Sequence, residues 1–333
     1  MKRGIYILNR DAFERVYTIE EQRQIDALID VEPRFHTSAA VVNNPTLLHD
    51  VQIIFSGWGG PRIDAAFLSH APALELVLYG AGSIRPIVTD AFWERGVRIC
   101  SSYSANAIPV AEYTLAMIVL LLKQTFRLSR EIREQRGYIP MDPEEPIVGA
   151  YGSTVGVVSL GMAGRRVCQL LKQLSVEVVA YDPYVTQAQA DALGVRMVAL
   201  DELFCSSDVV SLHTPLLPQT ENLIRGEHIS SMKAHAGFIN ASRGAVVCES
   251  ELIDALRQRR DIQAVLDVTN PEPPDSASPL YDLPNVLLTP HIAGSLGREC
   301  RRMGQYMIDE CRRYLNGEPL QWEISRERAQ ILG

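Results

Sequence analysis

The sequence predicts an α/β protein with parallel sheets, arranged as two domains. Three observations carry this reading. Short apolar runs alternate with polar, helix-spaced segments along most of the chain. From residue 154 onward the apolar runs are near-continuous, as in strands covered on both faces. The length, 333 residues, also exceeds one ordinary core at roughly 150 residues per domain.

In the first hundred residues, strand candidates fall at 5–8, 52–55, 75–79 and 97–99, with helical spacing at 18–29 and 63–70. This predicts a small parallel α/β domain. Gly57, Gly59 and Gly60 follow one strand, and Gly80 and Gly82 another, in loops where backbone can approach a ligand. A long helix is predicted over 108–135. Pro109 suits its first turn, where the missing N–H is not needed, and Glu112 suits the positive end of its dipole. The middle of this helix is apolar nearly all round, and the polar segment 137–146 then marks a boundary. Stronger strands follow at 154–158, 177–181, 208–213, 237–241, 263–268 and 285–289. Helices fit at 165–173, 187–193, 249–257 and 296–316.

Composition excludes several classes. Apolar residues make up 47% of the chain, enough for sizeable cores. Thirty-two Lys and Arg against 40 Asp and Glu leave a net charge of −8, which argues against a nucleic-acid or anionic-membrane binder. The six cysteines form no CxxC pair and read as buried thiols of a cytoplasmic protein. No Cys/His cluster has metal-ligand spacing, so no metal is expected. Residues 1–10 lack a signal-like apolar run, and the most apolar stretch, 115–122, is shorter than the roughly 20 residues of a membrane span. That stretch reads as a buried or interface helix.

Residues 154–182 read as strand, glycine turn, helix and second strand ending in Asp182. The turn is a modified G-x-G-x-x-G in which Ser159 takes the first glycine place and Gly161 and Gly164 the others. Gly161 lets backbone approach a pyrophosphate, Gly164 lets helix and strand pack closely, and the helix start offers free N–H groups. Asp182 lies 18 positions beyond Gly164, near the expected spacing of about 20. This predicts a bound nicotinamide dinucleotide, with Asp182 accepting both ribose hydroxyls of NAD and repelling the 2′-phosphate of NADP. The plain alternative is an ordinary βαβ turn with a solvent-facing aspartate.

Three polar residues stand just beyond three later strands: Arg243, Glu272 and His291. Ligands of open parallel sheets bind outside the carboxyl ends of the strands, so the three are expected to converge there. Reduction of a carbonyl leaves an alkoxide that needs a proton, which His291 can supply. Glu272 would orient its ring, and Arg243 offers a planar fork to a carboxylate. The set suits a 2-oxo acid. Taken singly, each residue reads as well as a cap or salt-bridge partner.

With those residues in place the chain resembles the D-isomer-specific 2-hydroxyacid dehydrogenases. The matching segments are the glycine turn with Tyr181-Asp182-Pro183, then Leu212-His-Thr-Pro215 and Ile239-Asn-Ala-Ser-Arg-Gly244. They continue with Leu266-Asp-Val268, Glu272-Pro273, Leu283-Pro-Asn285 and Leu288-Thr-Pro-His-Ile-Ala-Gly294. The likeness is strong from about 150 to 300 and weaker before, through Gly80-Ala-Gly82 and Ala105-Asn106 with Val110-Ala-Glu112.

The resemblance implies a Rossmann cofactor domain, 106–292, inserted into a flavodoxin-like substrate domain made of 1–105 and 293–333. It implies catalysis by Arg243, Glu272 and His291. It places Gly161, Met162, Ala163, Gly164, Asp182, Thr214, Pro215, Ala241, Arg243, Asp267 and His291 at NAD. The amides near Ala81 and Gly82, with Arg243 and His291, would hold a 2-hydroxy or 2-oxo acid. The long helix would pair two subunits as a homodimer through the cofactor domain.

Departures from the family pattern leave alternatives open. Ser159 replaces a glycine, and Met162-Ala163 replace the more usual Arg-Ile, removing a cationic pyrophosphate contact. Gly82 is followed by Ser83-Ile-Arg-Pro86. Arg85 then either serves an extra acidic group on the substrate or pairs with a surface acid. Trp58 either contacts substrate or packs. The alternatives to a simple D-2-hydroxyacid dehydrogenase are a glycerate or phosphoglycerate type and a non-enzymatic NAD-sensing protein.

Overall fold

The computed structural model describes residues 1–139 and 147–331. Part of the expected boundary segment, 140–146, lies outside the described residues. Two compact units divide the chain: Met1–Asn106 with Ser295–Gly333, and Ala107–Gly294. Each holds one parallel sheet, so the expected class of two parallel α/β domains is borne out.

The first unit contains β1 (Arg3–Ile7), β2 (Asp30–His36), β3 (Ile53–Ser56), β4 (Leu76–Tyr79) and β5 (Arg98–Ser101). Their spatial order is β2-β1-β3-β4-β5, the flavodoxin-like order, and every pairing is parallel. All residues of β3 and β4 are buried, which fits their unbroken apolar runs. Helix Glu299–Leu315 closes one face through Cys300, Met303, Met307, Ile308 and Cys311. It lies so close to the chain at Val16 that a Cβ on Gly304 would stand 2.1 Å from the Val16 carbonyl oxygen. Beyond β5 the chain's later segment adds an antiparallel lip. Ser101 N–H donates to the Trp322 carbonyl and Ile324 N–H to the Ile99 carbonyl, with Arg98 and Glu323 paired bidentately.

The second unit contains β6 (Thr154–Val158), β7 (Glu177–Tyr181), β8 (Arg196–Met197), β9 (Val209–Leu212), β10 (Gly237–Asn240), β11 (Gln263–Leu266) and β12 (Val286–Leu288). The order β12-β11-β10-β9-β6-β7-β8 is the Rossmann order extended by one strand, and all pairings are parallel. The central strands β9, β10 and β11 are buried throughout. Helix ends follow local rules: Thr186 and Gln189 form a capping box on Gln187–Leu193, and Gly194 ends that helix with φ 68°.

Several expectations need correction. The helix expected over 108–135 is two helices, Tyr103–Leu122 and Thr125–Gln135. Gln124 takes φ 49° between them, Gly149 N–H caps the Leu122 carbonyl, and Arg127 clamps the Gln124 side-chain oxygen. The first helix starts early because Ser102 C=O accepts Asn106 N–H and Ser101 Oγ accepts Tyr103 N–H. Pro109 and Glu112 therefore sit inside the helix rather than in its first turn. The apolar run is also longer than 115–122: Tyr103–Leu122 is long and apolar enough to cross a bilayer. Its Ala111, Ile118, Leu121 and Leu122 instead pack with Val155, Val157, Val209 and Ile239 of the sheet. Of the six cysteines, Cys205 is exposed and Cys248 half-buried, so only four are the buried thiols expected.

Candidate functional site

The carboxyl ends of the second sheet carry the polar residues singled out above. After β6 the chain turns at Ser159, whose φ of 74° is the left-handed conformation a glycine would supply. Ser159 N–H donates to the Tyr181 carbonyl at 2.8 Å, and its Oγ lies 2.8 Å from Thr214 Oγ1. Gly161 precedes helix Met162–Leu171, and a Cβ on it would enter open space. On Gly164 a Cβ would stand 2.0 Å from the Ser159 carbonyl oxygen, so only glycine permits this helix-to-turn approach. The Met162, Ala163 and Gly164 amides have no hydrogen-bond partner among the described residues. A turn open at Gly161, facing three free amides at a helix start, fits a dinucleotide pyrophosphate.

Asp182 follows β7, as expected for a ribose ligand. Its Oδ2 accepts Leu160 N–H at 2.7 Å and its Oδ1 accepts Tyr184 N–H at 2.8 Å. It therefore also pins the glycine turn, a task its position in the sequence does not reveal. After β9, His213 and Thr214 are buried and Pro215 is half-buried. Burial pushes the His213 imidazole down to about 4, and its Nε2 lies 2.8 Å from Ser211 Oγ.

Beyond β10, buried Asn240 folds the turn that presents Arg243. Its Oδ1 accepts from the Ser242 amide and hydroxyl, and its Nδ2 donates to the Arg243 carbonyl at 3.1 Å. Ala241 is half-buried in the same turn. The Arg243 guanidinium is held below its ordinary pKa by burial, an effect opposed by the nearby Glu272 charge. Glu272 Oε1 lies 2.6 Å from His291 Nδ1, with both side chains about half exposed. Because the carboxylate only accepts, the His291 proton sits on Nδ1, leaving Nε2 as the atom free to exchange one. His291 itself takes φ 55°.

Asp267 organises the His291 turn. It is 2% exposed, and its Oδ1 accepts the Thr289 hydroxyl at 2.6 Å and Ile292 N–H at 2.8 Å. Its Oδ2 accepts Ala293 N–H at 2.9 Å. Tyr113, on helix Tyr103–Leu122, has its hydroxyl 3.0 Å from Thr289 Oγ1. Thr289 gives its own proton to Asp267, so Tyr113 donates to Thr289. Nothing in the sequence spacing links Tyr113 to this turn.

A cavity of about 410 Å³ adjoins the pair, lined by Asp267, Glu272, Pro273, Tyr281, Leu288 and His291. A second, of about 420 Å³, is lined by Arg130, Gln263 and Val286 at the amino ends of β11 and β12, the wrong edge for ligands of such a sheet. In the first unit, the Ala81 and Gly82 amides have no partner among the described residues, while their carbonyls accept from Ser101 Oγ. Arg85 is exposed, and Trp58 is half-buried with Arg15 over its ring.

Comparison with known proteins identifies the family. Residues 115–293 match the NAD-binding domain of the D-isomer specific 2-hydroxyacid dehydrogenases. D-3-phosphoglycerate dehydrogenase of Mycobacterium tuberculosis is 34% identical over 256 residues, 77% of this chain and 48% of the relative. The enzyme of the same name from Archaeoglobus fulgidus is 30% identical over 261 residues, 78% of this chain and 49% of its own. The chain thus spans about half the length of these curated relatives. Among solved structures, an NAD-complexed D-isomer specific 2-hydroxyacid dehydrogenase from Lactobacillus delbrueckii ssp. bulgaricus superposes with TM-score 0.79. It is 21% identical, covering 98% of this chain and 100% of that one, and so shares the fold. A protein from Thermus thermophilus gives TM-score 0.73 at 26% identity, covering 97% of this chain and 99% of that one. The chain belongs to the D-isomer-specific 2-hydroxyacid dehydrogenase family, and its second unit carries that family's NAD-binding Rossmann domain.

Proposed function

We propose that this protein interconverts a D-2-hydroxy acid and its 2-oxo acid, with NAD(H) as the hydride carrier. The observation that carries the reading is the 2.6 Å contact between Glu272 and His291 at the carboxyl edge of the Rossmann sheet. When bound, NAD(H) supplies or accepts the hydride. His291 Nε2 gives a proton to the oxygen of the reduced carbonyl, and takes it back in the reverse direction. Glu272 orients the ring and balances the imidazolium charge. Arg243 grips the substrate carboxylate, and its burial strengthens that pairing. The free Ala81 and Gly82 amides are donors of the kind a substrate carboxylate needs. Gly161, Met162, Ala163 and Gly164 hold the pyrophosphate, Asp182 the ribose, and Thr214, Pro215, Ala241 and Asp267 border the nicotinamide side.

Replacing His291 with Ala tests this. Turnover should fall by at least about 10³-fold while NADH affinity changes little. Unchanged turnover would remove His291 from the reaction.

A phosphorylated 2-hydroxy acid is the second reading, favoured by the name the two relatives share. NADH oxidation measured across 2-oxo acids, with and without a phosphate, separates the two. A purely NAD-sensing role has less support, because such a protein does not need a paired acid and base. A cytoplasmic homodimer joined through the cofactor domain belongs to the same proposal, with Val119 exposed on the helix expected to pair. Light scattering on the purified chain tests it.

A further inference from the structure

The glycine turn departs from its family pattern at two places, and one contact bears on both. Ser159 keeps the left-handed backbone of the glycine it replaces, a conformation serine holds only where its surroundings impose it. Its N–H is fixed to the Tyr181 carbonyl, the next amide to Asp182, and its Oγ lies 2.8 Å from Thr214 Oγ1. This last contact joins the loops after β6 and β9. Those strands are neighbours at the point where the strand order reverses, the crevice in which such sheets bind dinucleotides.

The direction of the Ser159–Thr214 bond follows from burial. Each hydroxyl has one proton to give. Thr214 is 2% exposed, and Ser159 is the only hydrogen-bond partner of its hydroxyl among the described residues. A buried donor left unused is penalised, so Thr214 donates and Ser159 Oγ accepts. The proton of the half-exposed Ser159 hydroxyl then has no acceptor among the described residues. It belongs to the same glycine turn as the free amides of Met162, Ala163 and Gly164, which follow Ser159 within five residues.

We propose that the Ser159 hydroxyl donates this proton to a pyrophosphate oxygen of NAD(H), and so supplies the contact that Met162 cannot make in place of an arginine. The inference rests on the glycine turn being the NAD site. An O–H donor to an anionic oxygen forms a short, charge-assisted bond, roughly twice as strong as a neutral one. A glycine here would keep the turn but not the donor. Ser159 is thus an affinity determinant of this chain's glycine turn, buttressed from behind by Thr214.

The test is ligand binding by the full chain, read by NADH fluorescence and by competition with ADP-ribose and with adenosine. In Ser159→Gly, NADH and ADP-ribose should each bind about tenfold more weakly, while adenosine, which lacks phosphate, competes as in the wild type. Two results would each overturn the proposal: wild-type affinity in Ser159→Gly, or equal losses for NADH and adenosine. A wild-type chain that binds neither NADH nor ADP-ribose would instead remove the cofactor assignment itself.

Discussion

Asp267 holds Ala293 by a 2.9 Å hydrogen bond from the backbone amide, two residues beyond the proposed acid–base histidine. The same carboxylate takes the Thr289 hydroxyl and the Ile292 amide, so it grips the turn on both sides of His291. Asp267→Asn would point an amide NH₂ at donors that need an acceptor. Urea denaturation should show a loss of about 2–3 kcal/mol, the cost of one or two unsatisfied buried donors. Stability within about 0.5 kcal/mol of the wild type would mean the turn does not depend on the carboxylate.

Tyr113 is tied to that carboxylate through Thr289. Burial pushes the Tyr113 phenol above its ordinary pKa, so it stays a donor through the neutral range. Tyr113→Phe removes one hydrogen bond and should lower stability by about 1 kcal/mol. On the proposed function, kcat should fall several-fold while NADH affinity stays the same. An effect on NADH binding alone would contradict a link to His291.

Gly164→Ala should be far more damaging than an ordinary helix substitution. Alanine normally favours a helix over glycine by about 1 kcal/mol. Here its Cβ would meet the Ser159 carbonyl oxygen at 2.0 Å, and backbone cannot swing aside as a side chain does. The expected result is a net destabilisation of about 1–3 kcal/mol, with NADH binding weakened as the turn is displaced. A raised melting temperature would show that the turn yields freely.

His213 makes stability depend on pH. Its ordinary value is about 6.5, and burial lowers it to about 4 in the folded chain. Between those values the unfolded chain binds more protons, so stability is full above about 6.5 and falls as pH drops toward 4. The group's contribution is roughly 3 kcal/mol across that window. His213→Gln should flatten the pH dependence of the urea midpoint between about pH 7 and about pH 4.5 relative to wild type. An unchanged slope would show that the ring is hydrated.

Much of the fold is legible in the sequence because buried parallel strands are continuous apolar runs. The spans expected at 154–158 and 177–181 are the strands observed. The strand Asp30–His36 escapes sequence reading for the converse reason. It lies at the edge of its sheet, is mostly half-buried or exposed, and contains Glu32, Pro33 and Arg34. The break at Gln124 is equally hidden, since it arises from Gly149 and Arg127 satisfying groups near the helix end rather than from a glycine or proline at the break itself. In the site, Glu272 and His291 are readable as residues after strands, and the structure brings them into contact. The Asn240, Thr289 and Tyr113 roles depend on hydrogen bonds that residue spacing does not encode.

The antiparallel lip beside β5 has a consequence for the chain in a crowded solution. A parallel sheet ends in a strand whose amides and carbonyls can template another copy, and β5 would be such a strand. Trp322 to Ile324 occupy that row, and Glu323 adds a charge where a neighbour would have to dock. The segment therefore works as a guard against edge-to-edge aggregation. A chain shortened before Trp322 would carry a sticky margin that Trp322 to Ile324 otherwise keep covered.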